Sequence, residues 1–409
     1  MQLQETDVVI IGAGPSGSIA ANLLRQKGHS VIIIERMQFP RFIIGESLLP
    51  QCLITLEKAG CLEAISAAGF QQKVGATFQH RSHYEKIIFD DKFSQGPATA
   101  YHVQRAEFDT ILTDCAQQKG AKILWQSNVT AVSPKFNNSL VKYQDKDGIE
   151  HQIKTRFVLD ASGYGRVLPK LLNIDKPSSL EPKASLFSHV QDHIDESLHS
   201  RNETLIVTHP VHRDVWYWLI CFSNGRSSIG VVGSPEFMQP YQEQGIQGLQ
   251  QLINEDPDLS QIMANSKFDT QDYQLNAYSG NVSRLCGDGY AVLGNAGEFL
   301  DPIFSSGVTV AIQSSDLAVS VLDKMLKGEE YNWQSEFVDE LKLGVNVFKC
   351  FVNNWYDGGF QDVIYSQSTV TKVKKMIASI LAGYAWDKEN PFVQQPNKHL
   401  NSLISICQQ

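Results

Sequence analysis

The chain has 409 residues, 42% of them hydrophobic and 19% charged, which is enough to bury the core of a globular enzyme with more than one average domain. Its formal net charge of -9 argues against a general nucleic-acid binder, because neutralising phosphates needs a basic face. No apolar run approaches the roughly 20 residues that span a bilayer, and the seven cysteines are dispersed without Cys-x-x-Cys spacing. We therefore expect a cytoplasmic protein with reduced thiols, no metal site and no membrane partner.

The first elements of the chain predict a β-α-β unit with a dinucleotide site. Residues 7–11 and 31–34 are β-branched runs on either side of a helical stretch at 16–27, so the sheet should be parallel. The turn Gly12-Ala13-Gly14-Pro15-Ser16-Gly17 fits G-x-G-x-x-G, and Glu35 follows at the end of the second strand, 35 − 12 = 23 residues on. We expect Gly14 to adopt a positive φ beside a pyrophosphate and Glu35 to accept hydrogen bonds from a ribose. The motif alone leaves NAD and FAD both open.

The later elements predict an α/β fold in three parts. A helix at 105–118 and strand-like runs at 122–132 and 157–160 continue a Rossmann-like core. From 185 to 277 the texture is β-rich, and residues 216–222 and 227–232 predict a hairpin across Ser223-Asn224-Gly225-Arg226. A strand at 290–293 and a helix at 306–326 return to the core, and the rest is helical. We expect a nucleotide-binding domain (1–184 and 278–328), an inserted antiparallel substrate sheet (185–277) and a helical C-terminal region (329–409).

A second strand-and-turn segment resembles a known flavin site. Gly287-Asp288-Gly289-Tyr290-Ala291-Val292-Leu293-Gly294-Asn295-Ala296 resembles the segment with which the p-hydroxybenzoate-hydroxylase-like flavoproteins hold the ribityl chain. Asn295 stands where those proteins usually carry Asp, and its amide carbonyl can still accept from a hydroxyl. Arg105 resembles the flavin-contacting arginine that opens a helix in this superfamily, although a solvated arginine at a helix start is the ordinary alternative. The resemblance implies that the nucleotide is FAD.

Three further segments resemble the flavin-dependent halogenases. Phe39-Pro40-Arg41 through Gly45-Glu46-Ser47-Leu48-Leu49-Pro50 is similar to the stretch F-P-R-x-x-x-G-E-S-L-L-P of that family. Phe70-Gln71-Gln72-Lys73-Val74-Gly75-Ala76-Thr77-Phe78 resembles the segment that holds the family's catalytic lysine. Trp216-Tyr217-Trp218-Leu219-Ile220-Cys221 is similar to W-x-W-x-I-P, with Cys221 where proline is usual. The resemblance covers roughly residues 5–360.

The resemblance implies a set of site residues. Lys73 matches the catalytic lysine, whereas a lone lysine is ordinarily a solvated side chain. The two tryptophans share one strand face, where aromatic sheet packing is the common alternative. The resemblance assigns the halide to Ser306 and Gly307, and the substrate pocket to Phe304, Val308, Trp216 and Trp218. It assigns FAD to Gly12, Gly14, Ser16, Gly17, Glu35, Arg36, Arg41, Ser47, Arg105, Asn295, Pro302, Gly307 and Val308.

The chemistry implied by the resemblance is electrophilic halogenation. FADH2 comes from a separate flavin reductase, since the sequence has one nucleotide fingerprint, and O2 converts it to a flavin C4a-hydroperoxide. Chloride or bromide at the helix start is oxidised to hypohalous acid, which Lys73 binds as an ammonium or carries as a haloamine to an aromatic ring. Tryptophan halogenases carry Glu where this chain has Phe304, which argues against free tryptophan as the substrate. The segment Asp301-Pro302-Ile303-Phe304-Ser305-Ser306-Gly307-Val308 resembles halogenases that act on a pyrrole held as a thioester on an acyl or peptidyl carrier protein, and the resemblance implies that substrate here. The alternative is a flavin-dependent hydroxylase or dehydrogenase on the same scaffold.

A lysine cluster near the C-terminus is a candidate surface for that carrier. Apolar residues recur at helical spacing from 370 to 384, at Val370, Val373, Ile377, Ile380, Leu381 and Tyr384, and predict one buried helix face. Lys372, Lys374 and Lys375 fall outside that face. A basic helix face in an acidic chain can steer an acidic carrier protein, and an ordinary solvated face is the alternative.

Overall fold

The computed structural model describes residues 4–276, 280–366 and 370–408. The boundary that the sequence places between residues 277 and 278 therefore lies outside the described residues. Across the described ranges, no helix combines the length and the apolar character that crossing a membrane requires. The cysteines of these ranges form no disulfide bond.

The strands and helices alternate in the first half of the chain, and helices dominate the C-terminal part. Short 3-10 turns lie at Phe89–Asp91, Gly163–Gly165, Gly294–Ala296 and Pro302–Phe304, and a π-helical turn at Gln334–Asp339 precedes the tenth helix. In chain order, the strands of the described residues are β1 (Gln4–Ile11), β2 (Val31–Ile34), β3 (Gln71–Lys73), β4 (Gly75–His80), β5 (His83–Ile88), β6 (Ala100–His102), β7 (Lys122–Leu124), β8 (Asn128–Ser133), β9 (Ser139–Gln144), β10 (Glu150–Asp160), β11 (Asp175–Pro177), β12 (Ala184–Gln191), β13 (Glu203–Thr208), β14 (Trp216–Cys221), β15 (Arg226–Gly233), β16 (Tyr273–Asn276), β17 (Gly280–Val282), β18 (Cys286–Gly287) and β19 (Tyr290–Val292). The helices of the same ranges are α1 (Pro15–Gln26), α2 (Cys52–Lys58), α3 (Leu62–Ala67), α4 (Arg105–Gln118), α5 (Val167–Leu171), α6 (Pro235–Gln242), α7 (Ile246–Glu255), α8 (Pro257–Ile262), α9 (Ser306–Lys327), α10 (Glu340–Tyr356), α11 (Gly359–Tyr365), α12 (Thr371–Leu381), α13 (Pro391–Gln394) and α14 (Pro396–Cys407).

The first sheet is the predicted parallel core. Its strand order is β18-β19-β10-β1-β2-β7, and β8 and β9 extend it beside β10. The pairs β1/β10, β1/β2, β10/β19 and β2/β7 are parallel. The strand β2 is buried along its whole length, as expected of a parallel strand covered on both faces. The predicted β-α-β unit and the return of β19 to this sheet are confirmed.

The second sheet contains strands from a longer part of the chain than the sequence suggests. Its strand order is β16-β12-β15-β14-β13-β4-β5, so it includes two strands from 75–88, well before residue 185. All its pairs are antiparallel except β13/β4, which is parallel. The largely antiparallel sheet predicted at 185–277 is therefore extended by strands from earlier in the chain and contains one parallel pair. The parallel pair arises because β4 enters from the first half of the chain and not through a hairpin.

The hairpin predicted at the centre of this sheet is present. Strands β14 and β15 pair in the register Trp216↔Val232, and Gly225 in the turn has φ +76°. Gly230 lies opposite Trp218, and a Cβ built there would come within 2.3 Å of the Trp218 ring. The glycine therefore lets the indole lie flat on the neighbouring strand.

Two stretches differ from the predicted elements. Residues 235–262 form the helices α6, α7 and α8, although the sequence texture was interpreted as β-rich. Ser234 and Asp256 cap α6 and α8 by accepting from the Phe237 and Leu259 N–H groups, and a proline follows each cap at the first helical position. The run 122–132 is two strands, β7 and β8, because the chain turns between them at Gln126, which has φ +51°.

Helix α9, near the end of the nucleotide-binding unit in the sequence, packs against the first helix of that unit. It begins at Ser306 as predicted and packs along α1, where the Ser16 and Ser315 hydroxyls lie 2.9 Å apart. The predicted C-terminal helix is α12, and Ile377, Ile380 and Leu381 are buried in it. Val370, assigned to the same buried face, is 68% exposed, so that part of the prediction is wrong. It precedes the first turn of the helix and does not follow the helical periodicity.

Candidate active site

A cavity of about 510 Å³ lies between the two sheets. One end is formed by the turns that follow β1 and β2, with Gly12 and Glu35, and by the segment 41–47. The other end is formed by one face of β13 and β14, with Thr204, Ile206 and Trp216, and by the start of α9. A cavity at the carboxyl ends of parallel strands is the usual binding place in folds of this class.

The three glycines of the first turn have different structural roles. Gly12 has φ +98°, and a Cβ there would lie 2.6 Å from the Ala161 carbonyl oxygen. A Cβ at Gly17 would lie 1.9 Å from the Gly12 carbonyl oxygen, so this glycine lets α1 pack on the turn. Gly14 has φ -66°, and its nearest neighbour is the Arg41 guanidinium at 3.7 Å from a built Cβ. The expectation of a positive φ at Gly14 is wrong: its missing side chain leaves space beside Arg41.

Glu35 is buried and holds the turn with both oxygens. Its carboxylate accepts from the Ala13 N–H at 2.8 Å and from the Met37 N–H at 2.9 Å. Each carboxylate oxygen keeps a further lone pair. Glu35 and the neighbouring Arg36 both line the cavity, so this carboxylate can meet a ribose from the position that the sequence predicts.

Two arginines share one buried carboxylate on the cavity floor. Arg105 forms a bidentate pair with Asp109, at 2.8 and 2.9 Å, and also donates to the Ile44 carbonyl. Arg41 reaches the same carboxylate through Nη2 at 3.0 Å. Burial lowers the pKa of Arg41, and its Nη1 has no hydrogen-bond partner among the described residues. Two guanidinium groups on one carboxylate leave a net positive charge and an unused donor, which suits a bound diphosphate.

The start of α9 closes the opposite wall. Asn295 lies in the 3-10 turn before it, and its side-chain oxygen is 3.9 Å from a Cβ built on Gly307. Pro302, Gly307 and Val308 line the cavity, as do Ser16 and Ser47. The first N–H groups of a helix have no acceptor within the helix, so the start of α9 presents donors near the cavity.

Four predicted site residues lie outside the cavity lining: Gly17, Phe304, Ser306 and Lys73. Ser306 is buried in the first turn of α9, beside the lining residue Gly307. Phe304 packs edge-on against Trp355 and Phe360, with ring centroids 6.0 and 5.6 Å away. Phe304 is thus part of an aromatic cluster beneath the wall in this structure.

The two tryptophans form the wall of the second sheet. Trp216 and Trp218 both line the cavity, with ring centroids 6.0 Å apart. The Trp218 indole donates to Ser228 at 3.0 Å, and the Trp216 indole donates to the Tyr356 hydroxyl at 2.9 Å. Tyr356 in turn donates to Asp301, where burial raises the pKa to about 6. Both rings are therefore held in place by hydrogen bonds as well as by packing.

Lys73 lies directly behind the cavity wall. It is 2% exposed, and its Nζ donates to the Ser47 hydroxyl at 2.8 Å and lies 5.2 Å from the Phe89 ring centroid. Burial lowers the pKa of Lys73 from 10.5 to about 7. Ser47 and Thr204, which line the cavity, separate the amine from it. A buried lysine that titrates near neutral pH differs from the solvated side chain that a lone lysine ordinarily is.

Sequence reasoning missed several residues of the site. Asp109 could have been found from its i,i+4 spacing to Arg105 on α4, which is the spacing of a helical ion pair. Thr204 and the buried His102 carry no local signal, because their contacts join segments that are distant in the chain. Phe42 and Tyr273, whose rings stack at 4.1 Å beside the cavity, likewise become visible only in the structure.

The FAD binding domain family model matches residues 5–332 of the chain. A flavoprotein/dehydrogenase of Cytophaga hutchinsonii is 38% identical, and its crystal structure aligns with a TM-score of 0.94 over 99% of both chains. The 1H-pyrrole-2-carbonyl-(peptidyl-carrier protein) brominase of Pseudoalteromonas luteoviolacea is 27% identical over 342 residues, covering 82% of this chain and 81% of that one. The structure of the flavin-dependent brominase Bmp2 aligns with a TM-score of 0.84 at 24% identity, over 98% and 99% of the two chains, and so shares the fold.

Replacing Gly14 with Val tests the role of the first turn in flavin binding separately from its role in folding. The new side chain has room in the protein but fills the space beside Arg41, so we expect flavin affinity to fall at least about tenfold while the apoprotein keeps its melting temperature. Gly17→Val is the contrasting variant, because its Cβ meets backbone, and it should lose folded protein. Flavin affinity is measured by titrating the apoprotein, and an unchanged affinity in Gly14→Val would show that the turn does not hold the diphosphate.

Proposed function

Because the chain belongs to the FAD binding domain family, we propose that it is a flavin-dependent halogenase that acts on an electron-rich aromatic ring. The observation that carries this proposal is Lys73, a buried lysine one hydroxyl away from the FAD cavity, with a pKa of about 7. A flavoprotein that only transfers electrons has no evident use for such a group. The names of relatives such as the pyrrole-carrier brominase support the same reaction class.

The residues of the cavity fit FAD. Arg41 has an unused buried donor beside the space at Gly14, where the diphosphate would lie. Glu35 would accept from the adenosine ribose, and Asn295 would accept from a ribityl hydroxyl. Arg105 is held by Asp109 and would face the flavin end of the cavity. When bound, reduced FAD supplies, with O2, the two-electron oxidation of halide, so that aryl C–H, halide, O2, FADH2 and one proton give aryl halide, FAD and two waters.

The start of α9 is the proposed halide position. The N–H groups of Ser306 and Gly307 lie in the first turn of a 22-residue helix, where the helix dipole favours an anion. Gly307 lines the cavity, and the turn before it carries no basic side chain that would compete for the oxidised halogen. The donors would thus hold chloride or bromide without reacting with its oxidised form.

Lys73 would receive the oxidised halogen. At a pKa of about 7, both its ammonium and its neutral amine are populated near neutral pH. The ammonium would bind hypohalous acid as a hydrogen-bond donor, and the amine would carry the halogen as a haloamine. The two alternatives predict opposite pH dependence, because the first form is lost and the second gained as the pH rises through 7. Trp216 and Trp218 would bound the side of the cavity where the ring is halogenated.

The proposed substrate is a pyrrole carried as a thioester on a carrier protein. The relative from Pseudoalteromonas luteoviolacea is named for that substrate and matches this chain over most of both lengths. Phe304 at the position of the tryptophan halogenases' Glu removes a carboxylate that could meet an amino acid, which argues against free tryptophan. We also propose a separate flavin reductase as the source of FADH2, because the chain has one dinucleotide fingerprint.

A flavin-dependent dehydrogenase or hydroxylase is the second candidate function. It is favoured by the 38% identity to a protein that is named a flavoprotein/dehydrogenase and that matches the whole chain. Such an enzyme would use the same FAD cavity and would form a product without halogen. The two functions therefore differ in whether product formation depends on halide.

Replacing Lys73 with Met or Ala is expected to reduce halogenated product below about 1% of the parent, the loss of a group that takes part directly in the chemistry. Flavin binding and hydrogen peroxide release should persist, because the lysine acts after flavin oxidation. Met is the better variant, since it fills the buried space that Ala would leave empty. Product is measured by mass spectrometry and peroxide by a coupled assay. Undiminished halogenation by Lys73→Met would contradict the assigned role.

The lysines of α12 are the proposed docking surface for the carrier protein. Lys372 and Lys375 are exposed, whereas Lys374 is half-buried and pairs with Glu85 at 2.6 Å. Two of the three lysines are therefore available to a partner. In a chain of net charge -9, they offer a local positive surface to an acidic carrier.

Changing Lys372 and Lys375 together to Glu should slow halogenation of a carrier-bound substrate several-fold at low salt and reduce its salt dependence. Lys374 is kept, because Lys374→Glu would face Glu85 and destabilise the helix. The matched control is the exposed pair Lys146→Glu and Lys176→Glu, which changes the net charge equally. Equal rates and equal salt dependence for the two double variants would eliminate α12 as the docking surface.

A further inference from the structure

A chain of hydrogen bonds runs from Lys73 into the core. The Lys73 Nζ lies 2.8 Å from the Ser47 Oγ, which lies 3.0 Å from the Thr204 Oγ1. The Thr204 Oγ1 lies 2.9 Å from the His102 Nε2, and the His102 Nδ1 lies 3.0 Å from the Cys221 carbonyl oxygen. All four side chains are buried, and they come from four separate segments of the chain. Backbone pairing fixes part of this arrangement, because His102 pairs with Ser47 and with Gln71 in adjacent strands.

The backbone carbonyl at one end determines the tautomer of His102. A carbonyl oxygen only accepts, so the His102 Nδ1 carries a proton and donates to Cys221. His102 is completely buried, and the positive charges of Lys73 and Arg201 disfavour a second proton on its ring. Burial, followed by the charge of Lys73, holds the pKa of His102 well below its usual value. The ring is therefore neutral, and its Nε2 is an acceptor.

The direction of every other bond follows from that acceptor. Thr204 has one hydroxyl proton, and it donates that proton to the His102 Nε2. Thr204 must then accept from Ser47, which donates its single hydroxyl proton in that bond. Ser47 consequently offers only lone pairs to Lys73. Under this arrangement Lys73 is a donor to Ser47 in both of its protonation states, and the lone pair of the neutral amine has no hydrogen-bond partner among the described residues.

We propose that His102 is a positioning residue for halogenation: through Thr204 and Ser47 it fixes Lys73 as a hydrogen-bond donor and leaves the lone pair of its amine open to the halogen. This inference rests on the proposed function and selects the haloamine between its two alternatives. The amine lone pair attacks the halogen of hypohalous acid, so an N–X bond forms while the O–X bond breaks, and one amine proton leaves with hydroxide as water. Attack by the aromatic ring on the halogen then forms the C–X bond and breaks the N–X bond, and the ring proton passes to the nitrogen, which restores the neutral amine.

The groups around Lys73 are compatible with this role. Burial lowers the pKa of Lys73, and Cys52 is buried close enough to the amine for a thiolate there to oppose that shift. Burial also raises the pKa of the Cys52 thiol to about 12, so the thiol stays protonated. Phe89 faces the amine with its ring and offers no lone pair. Among the described residues, Ser47 is thus the group that determines how the amine is oriented.

Thr204→Val and Thr204→Ser form a matched pair that tests the inference. Val has nearly the shape of Thr but no hydroxyl, so the Ser47 proton is released from Thr204 and can be donated to the Lys73 lone pair. Such a bond stabilises the neutral amine, and we expect the pKa of Lys73 to fall by about one unit, a tenfold change in its protonation equilibrium. Ser restores the hydroxyl and should restore the parent pKa. The measurement is an NMR pH titration of 13Cε-labelled lysine, with the Lys73 resonance assigned by its loss in Lys73→Met.

The titration needs no turnover, so it stands apart from the proposed function. Suppose that the parent protein yields no halogenated product, while the Lys73 pKa falls in Thr204→Val and recovers in Thr204→Ser. That result would contradict the proposed function but would support the proposed directions of the hydrogen bonds from His102 to Lys73. An unchanged Lys73 pKa in a Thr204→Val protein that keeps its melting temperature would overturn the inference. In an active enzyme, we further expect halogen transfer above pH 8 to be about tenfold slower in Thr204→Val than in Thr204→Ser, because the lone pair is then occupied.

Discussion

The buried carboxylate of Asp109 is the constraint on which the site depends. It neutralises one of two guanidinium groups that would otherwise repel each other inside the protein, and leaving either one unpaired there would be costly. Because Arg105 and Asp109 lie on α4 while Arg41 lies in the segment after β2, the pair fixes that segment against the helix. The same segment continues to Ser47, which contacts Lys73. One ion cluster thus positions both ends of the cavity, the end proposed for the diphosphate and the end proposed for the chemistry.

The two ends of the cavity differ in the charge of their side chains. At the first turn, Arg41 and Arg105 outnumber the carboxylate they share and attract an anionic cofactor. At the other end, burial disfavours charge: it lowers the pKa of Lys73 to about 7 and holds the pKa of His102 well below its usual value. Cys221, at the proline position of the W-x-W-x-I-P motif that this segment resembles, takes part through its carbonyl oxygen, a group that proline also has. The substitution therefore leaves the hydrogen-bond chain intact.

The sequence predicted what depends on local pattern and missed what depends on distant contacts. The β-α-β unit, the hairpin β14/β15 and the start of α9 follow from periodicity and turn residues, and all are present. The helices α6 and α8 have the cap-then-proline pattern at Ser234 and Asp256, but the surrounding β-rich texture outweighed it. Gly14 belongs to a motif whose positive φ lies at Gly12. Thr204 and His102 are inaccessible to sequence reasoning, because their contacts span 102 to 157 residues.

The most direct test of the account is the mass of the product formed by the unmodified enzyme. Reduced FAD, O2 and equal concentrations of chloride and bromide are supplied with a pyrrolyl carrier protein and, separately, with free phenols. We expect a pyrrole product with the isotope pattern of chlorine or bromine, formed only when halide is present. A hydroxylated or desaturated product that forms equally well without halide would contradict halogenation and would assign the FAD cavity to the dehydrogenase or hydroxylase alternative.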